Sequence, residues 1–129
     1  MLNQYDVGPT LPTADLDAAK AFYSGLGFTS ETAGPEEEMG VVFTTGATKF
    51  LVYPSAYAGT NKATSMAFDV PEAAFDELVQ GLRDKGITFD TFDIPGGTWD
   101  DGVLSGMGMK SVWFHDPDGN IINVGAYAQ

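Results

Sequence analysis

The sequence predicts an α+β fold, in which two βαβββ modules form a curved mixed sheet with helices outside and a concave cavity. A length of 129 residues suits one domain, and short strand-like segments punctuated by Gly and Pro alternate with two helical ones. The order strand, helix, three strands occurs twice, with a period of about 57 residues. We therefore expect a single domain over residues 1–129, with modules of approximately 1–56 and 63–129.

The first module is predicted to begin with a strand from Gln4 to Leu11, followed by a helix that Thr13 or Asp15 caps. Apolar residues then recur at helical spacing, and Gly25 and Gly27 end the helix. The members of this stripe are Leu16, Ala19, Phe22, Tyr23 and Leu26. Three strands follow, with a hairpin at 45–47 between the last two, and their spans are Phe28–Thr32, Gly40–Thr45 and Thr48–Pro54. The three glutamates at 36–38 are predicted to lie at a solvated hairpin tip.

The second module repeats this order. A strand from Thr64 to Val70 leads to Pro71, which we expect at the first helical position, and Gly86 supplies the C-terminal stop. The apolar stripe of this helix is Phe75, Leu78, Val79 and Leu82. Strands are predicted over Ile87–Ile94, Met109–His115 and Asn120–Ala126. Residues 116–119 (Asp-Pro-Asp-Gly) predict a tight turn, and the glycine-rich segment 95–108 predicts a long loop that covers a ligand or lies on the surface.

Composition narrows the classes of partner. Eighteen acidic and six basic residues give a net charge of −12, which argues against nucleic acid because phosphates are bound largely through Lys and Arg. This charge serves solubility, or it attracts cations. Apolar runs are too short to span a bilayer, and the chain contains no Cys for a disulfide or a thiolate ligand. We expect a cytoplasmic protein.

Motifs across nearly the whole chain resemble those of the vicinal oxygen chelate superfamily, which includes glyoxalases, bleomycin-resistance proteins and dioxygenases. The first is Leu11-Pro12-Thr13-Ala14-Asp15-Leu16 with the helix that follows, and the second is Phe68-Asp69-Val70 with its helix and Lys85-Gly86-Ile87. The most specific is Trp113-Phe114-His115-Asp116-Pro117-Asp118-Gly119-Asn120 before the last strand. The resemblance implies the same α+β fold and a homodimer.

Enzymes of that superfamily usually hold one divalent metal through four side chains, and the resemblance places these positions at Gly8, Phe50, Ser65 and Asn123. None of these residues is a His or a carboxylate, which are the ligands that such a metal requires. The sequence therefore predicts no metal and no other cofactor. What transfers is the metal-free, bleomycin-resistance type of protein, which sequesters a bulky cationic compound at a dimer interface.

The predicted function is thus binding of a small cationic or aromatic compound, and no catalytic residue is assigned. Strand alternation and the superfamily's geometry predict that the ligand-binding residues on the strands face the cavity, whereas Ile122 and Val124 face the helices. Trp99 would cover the ligand from the 95–108 loop. The predicted ligand-binding residues are Phe50, Ser65, Trp99, Ser111, Trp113 and Asn123.

Two other readings remain open. The chain is alternatively a lyase or dioxygenase-like enzyme of the same superfamily with a non-standard site, using His115, Tyr53 or Asp6. It is otherwise an interaction module whose cavity is filled by its own side chains. Whether any reaction is catalysed is left undecided by the sequence.

Overall fold

The computed structural model describes residues 1–32 and 38–127, so most of the predicted glutamate tip at 36–38 lies outside the described residues. The chain divides into two compact units, which are described separately. The first unit is Gly8–Met66, and the second unit combines Met1–Val7 with Ala67–Gln129. The single-domain organisation and its module boundaries stay predictions.

The first unit contains one helix and a mixed sheet. Strand β1 (Val7–Thr13) precedes α1 (Leu16–Gly25), and the Asp15 side chain caps α1 by accepting a hydrogen bond from the Ala18 amide at 3.1 Å. The remaining strands are β2 (Thr29–Ser30), β3 (Val41–Thr45), β4 (Thr48–Pro54) and the beginning of β5 (Thr64–Asp69). The first four strands lie in the order β2-β3-β4-β1, with β1 parallel to β4 and the other pairs antiparallel.

The core of the first unit is aromatic. Val41, Phe43 and Val52 are buried, and partly buried side chains of α1 and its neighbours pack against them. These neighbours are Leu16, Ala19, Tyr23, Phe28 and Phe50. The α1 stripe therefore packs as its spacing predicts, except that Phe22 and Leu26 stay exposed.

The second unit packs helix α2 (Glu72–Asp84) against an antiparallel sheet with the strand order β9-β8-β7-β6. The predicted apolar stripe of α2 is confirmed, because all four of its residues are buried against side chains of β8 and β9. Those sheet residues are Val112, Phe114, Val124 and Ala126. The strands are β6 (Thr98–Asp100), β7 (Val103–Gly106), β8 (Met109–His115) and β9 (Ile121–Tyr127), and a short 3₁₀ helix (Leu2–Gln4) lies near the N-terminus.

Three predictions in this unit are wrong. Residues 87–94 do not form a strand, because only Asp90 pairs with a neighbour, donating its amide to the Trp113 carbonyl at 2.7 Å. Residues 95–108 are not a structureless loop but contain the β6–β7 hairpin, whose turn requires positive φ at Asp101 (50°) and Gly102 (82°). Pro71 also precedes α2 in an extended conformation instead of opening it.

Arg83 joins the last turn of α2 to this hairpin. Its guanidinium donates to the Asp101 carbonyl, lies 3.4 Å from the Asp101 carboxylate and sits 5.5 Å from the centre of the Phe89 ring. A Cβ at Gly102 would lie 3.0 Å from the Phe89 Cβ, so the turn packs closely against the same ring. The hairpin is thus attached to the helix side of the sheet.

The α+β class and the mixed sheet that the sequence predicts are confirmed. Helix α2 continues through Gly81, which the end of the Met1 side chain approaches closely. Within residues 1–32 and 38–127, neither helix is long and apolar enough to cross a bilayer.

Candidate functional site

Three aromatic rings meet on the sheet of the second unit. The ring centres of Trp99 and Trp113 are 5.9 Å apart, and Phe92 contacts them edge-on at 5.5 and 4.9 Å respectively. The Trp99 indole donates a hydrogen bond to the Phe92 carbonyl at 2.9 Å, which fixes the segment that carries Phe92 over the sheet. We call Phe92, Trp99 and Trp113 the aromatic cluster.

Strand alternation explains why the cluster faces away from α2. Val112 and Phe114 pack against the helix, so Trp113 between them points to the opposite face. Phe92 is 45% exposed and both tryptophans are partly exposed, so the rings present accessible apolar surface. Such surface can stack against a planar molecule.

Two predicted polar residues lie on the same face of the sheet. Asn123 is directly opposite Trp113 in the β8–β9 register, and Ser111 is two residues before Trp113. Both side chains are buried, and the Asn123 amide donates to the Val112 carbonyl at 3.1 Å and to the Ser111 hydroxyl at 3.4 Å. Ile122 and Val124 pack on the α2 side, as predicted.

A carboxylate–imidazole pair flanks the aromatic cluster. The Asp90 Oδ2 atom lies 3.1 Å from the His115 Nδ1 atom, and the side chains are 39% and 57% exposed. His115 follows Trp113 by two residues on β8 and therefore shares its face. Asp90 supplies an orienting partner that sequence spacing alone does not reveal, so His115 meets one geometric requirement of a general base.

The turn after His115 is closed by Asp116. Its Oδ1 atom accepts hydrogen bonds from the amides of Asp118 and Asn120, both at 2.9 Å, and its Oδ2 atom accepts from the Asn120 side chain at 2.8 Å. Hydrogen bonds from Asn120 lower the pKa of the Asp116 carboxyl. Gly119 has a φ of 86°, so the predicted turn chemistry is confirmed.

Phe50 and Ser65 lie in the first unit. The prediction that Phe50 points away from the helices is wrong, because its ring contacts Tyr23 of α1 at 5.4 Å and also packs on Phe28 and Phe43. Ser65 is exposed on β5. Their predicted roles in ligand binding stay predictions.

Tyr53 and Asp6, the other residues of the enzyme reading, have different surroundings. The Tyr53 hydroxyl donates to the Thr64 carbonyl at 3.1 Å, and burial raises the pKa of this tyrosine. The Thr10 hydroxyl donates to the same carbonyl at 2.8 Å. Asp6 is exposed.

Comparison with known families decides the classification. Residues 3–124 match the sequence profile of the glyoxalase/bleomycin resistance protein/dioxygenase superfamily. The chain belongs to this superfamily. No curated protein matches the sequence.

Solved structures share the superfamily fold at low sequence identity. A superfamily member from Vibrio splendidus 12B01 is 15% identical with a TM-score of 0.59, over 95% of this chain and 98% of that one. A protein described as an NAD-dependent benzaldehyde dehydrogenase from Legionella pneumophila is 16% identical with a TM-score of 0.66, over 95% and 99%. A catechol 2,3-dioxygenase is 20% identical with a TM-score of 0.53, over 95% of this chain and 39% of the enzyme. These likenesses establish the fold alone.

The divalent metal that the superfamily implies does not fit the four positions to which the resemblance assigns it. Gly8 has no side chain, the Phe50 ring is packed among other rings, and Ser65 offers only a neutral hydroxyl. The Asn123 amide group is directed to Ser111 and Val112. Within the described ranges, no three His, Cys, Asp or Glu side chains gather as metal ligands. That the protein works without a metal stays a prediction.

Two concave regions lie away from the predicted site residues. One, of about 480 Å³, is in the second unit between the N-terminal residues and α2, and the other, of about 420 Å³, is in the first unit. The first is lined by Met1, Gln4, Tyr5, Ala74, Glu77, Leu78, Gln80, Gly81 and Asp84, and the second by Thr13, Ala14, Pro54, Ser55, Ala56 and Ala58.

Four of the six predicted ligand-binding residues share one face of the sheet of the second unit with His115, whereas two of their neighbours were not predicted, and the role of these residues in ligand binding stays a prediction. Trp99, Ser111, Trp113 and Asn123 lie on the β6–β9 sheet opposite α2. Phe92 and Asp90 were missed. Their two-residue spacing signals a shared face, but only the bridge to Trp113 reveals which strand they accompany.

Proposed function

We propose that this protein binds a small planar molecule on the aromatic cluster and does so without a metal. The observation that carries the proposal is the partly exposed group of three rings, with centres 4.9–5.9 Å apart. Large aromatic surfaces dominate the energetics of ligand recognition, and a few polar groups orient the ligand.

The chain offers a direct reporter for this binding. It contains two tryptophans, and both belong to the aromatic cluster. A ligand that stacks there should therefore change the intrinsic fluorescence of the protein. We would titrate a panel of planar compounds, charged and neutral, before and after dialysis against a chelator.

Saturable quenching that survives chelation is the expected result. Phe92→Ala should weaken the binding, whereas Tyr57→Ala, which removes an exposed ring of the first unit, should leave it unchanged. Quenching that needs an added divalent metal would overturn the metal-free proposal. Binding that Phe92→Ala leaves intact would overturn the location of the site.

The Asp90–His115 pair favours a second candidate, an enzyme of the same superfamily with a non-standard site. In this candidate His115 accepts a proton from a substrate on the aromatic cluster, and Asp90 orients the imidazole. Mass spectrometry of each bound compound after incubation would detect conversion. His115→Gln would abolish conversion while leaving binding in place, and unchanged compounds throughout would exclude this candidate for the panel.

We also propose that the protein is a homodimer. Phe22 and Leu26 are 61% and 64% exposed and lie one turn apart on α1, so they supply apolar surface that a second copy can cover. Light scattering measures the mass directly. The double change Phe22→Glu and Leu26→Glu should give monomers if this surface is the interface.

A further inference from the structure

We propose that Asp90 selects a planar organic cation as the ligand and that His115 makes this selection depend on pH. The inference rests on the proposed function, because it requires the ring of the ligand to lie on the aromatic cluster. It specifies that the ligand is positively charged and that Asp90 recognises this charge.

The geometry sets a carboxylate at the border of the rings. Asp90 is directly opposite Trp113 in an antiparallel bridge, and residues opposite each other in such a pair point to the same face. Phe92, two residues after Asp90, contacts Trp113, while Asp90 itself contacts His115. Segment 90–92 and strand β8 therefore hold one ring pair and one ionisable pair side by side.

The Asp90 carboxylate can form a close ion pair with only one cation at a time. When His115 is protonated, its imidazolium pairs with Asp90 through the 3.1 Å contact. When His115 is neutral, it no longer balances the negative charge of Asp90. The carboxylate then attracts a ligand cation that stacks on the neighbouring rings. Binding of the cation therefore displaces the proton from His115, and affinity rises with pH.

The other groups near His115 do not supply a competing cation. From the following turn, Asp116 directs its carboxylate to turn amides and Asp118 is exposed. From β9, the residue opposite His115 is Ile121. From segment 87–94, Asp93 is exposed and acidic. The charged groups contributed by these three elements are all carboxylates.

The test compares two rings of nearly equal size, N-methylquinolinium, a permanent cation, and N-methyl-2-quinolinone, which is uncharged. Tryptophan quenching, checked by equilibrium dialysis, measures the affinity of each between about pH 5 and 8, where histidine changes its charge. Ionic strength is held constant because the net charge of −12 attracts any cation. The variants are Asp90→Asn and His115→Gln, with Asp93→Asn as the matched control for loss of one carboxylate.

Wild-type protein should bind the cation at least about tenfold more tightly than the neutral ring at the upper end of this range. The cation's affinity should rise with pH by up to about tenfold per unit and then level off, because one proton is released for each cation bound. Asp90→Asn should remove both the preference and the pH dependence. His115→Gln should remove only the pH dependence, and Asp93→Asn should keep both.

Several results would overturn the inference. Equal losses in Asp90→Asn and Asp93→Asn would mean that net charge, not Asp90, attracts the cation. A pH-independent affinity in the wild type would remove His115 from the scheme. Equal binding of the two rings overturns the inference but leaves the proposed function standing. Binding of neither ring also overturns it, and the wider compound panel then decides the proposed function separately.

Discussion

Phe92 is the residue through which the aromatic cluster is most cleanly perturbed. The change Phe92→Ala removes two edge-on ring contacts, at 4.9 and 5.5 Å, but keeps the backbone carbonyl that accepts the Trp99 hydrogen bond. Each aromatic pair contributes about 0.5–1.5 kcal/mol beyond its buried area. We therefore expect the free energy of unfolding to fall by about 1–3 kcal/mol.

Urea unfolding followed by tryptophan emission and by circular dichroism measures this loss. Small proteins have urea m-values of about 1–3 kcal/mol/M, so the midpoint should fall by about 1 M. The native emission should also shift to longer wavelength, because Trp99 and Trp113 both lose the ring that covers them.

The matched control is Tyr57→Ala. Tyr57 is 55% exposed and lies in the other unit. Its loss should cost less than about 1 kcal/mol and leave the emission unchanged. An unaltered emission spectrum in Phe92→Ala, or an equal loss of stability in the two variants, would refute the description of the cluster.

Three further outcomes follow from the structure. Gly97→Ala should destabilise the protein by about 1–3 kcal/mol in urea unfolding, because the new Cβ would overlap Cδ1 of the fully buried Leu104. Asn120→Ala should raise the pKa of Asp116, which an NMR titration would measure. Because the pKa of Asp116 is lowered in the folded protein, the ionised carboxylate stabilises the fold above its unfolded pKa. This stabilisation is lost as the pH falls through the folded pKa. Tyr53 has a raised pKa, so its contribution to folding stability is present below about pH 10 and is lost as the pH rises further. Tyr53→Phe should therefore reduce the fall in the thermal unfolding midpoint that is measured above about pH 10.

Periodicity predicted the helices well because their packing is local. The stripe from Phe75 to Leu82 repeats every three to four residues, and this spacing alone places the side chains on one face. The turn at 116–119 was equally accessible, since Asp, Pro and Gly each have a defined role in it. These features depend on residues that are neighbours in sequence.

Features that depend on which segments pair in the sheet were predicted less well from the sequence. The apolar and β-branched residues of 87–94 suit a strand, but a strand also needs a partner, and only Asp90 finds one. The β6–β7 hairpin was missed although Asp101-Gly102 is a favoured two-residue turn with positive φ at both positions, because the many glycines of 95–108 were interpreted together as a long loop. Alternation showed that Phe50 and Val52 share a face, but it could not show that α1 covers that face.

Arg83 links helix α2, on one side of the sheet of the second unit, to the hairpin whose first strand carries Trp99. The residue belongs to α2 and holds the hairpin at Asp101, one residue beyond the end of the strand that carries Trp99. A change on the helix can therefore reposition an indole on the far side of the sheet. Under the function proposed above, ligand preference can accordingly change through substitutions at positions that do not contact the ligand.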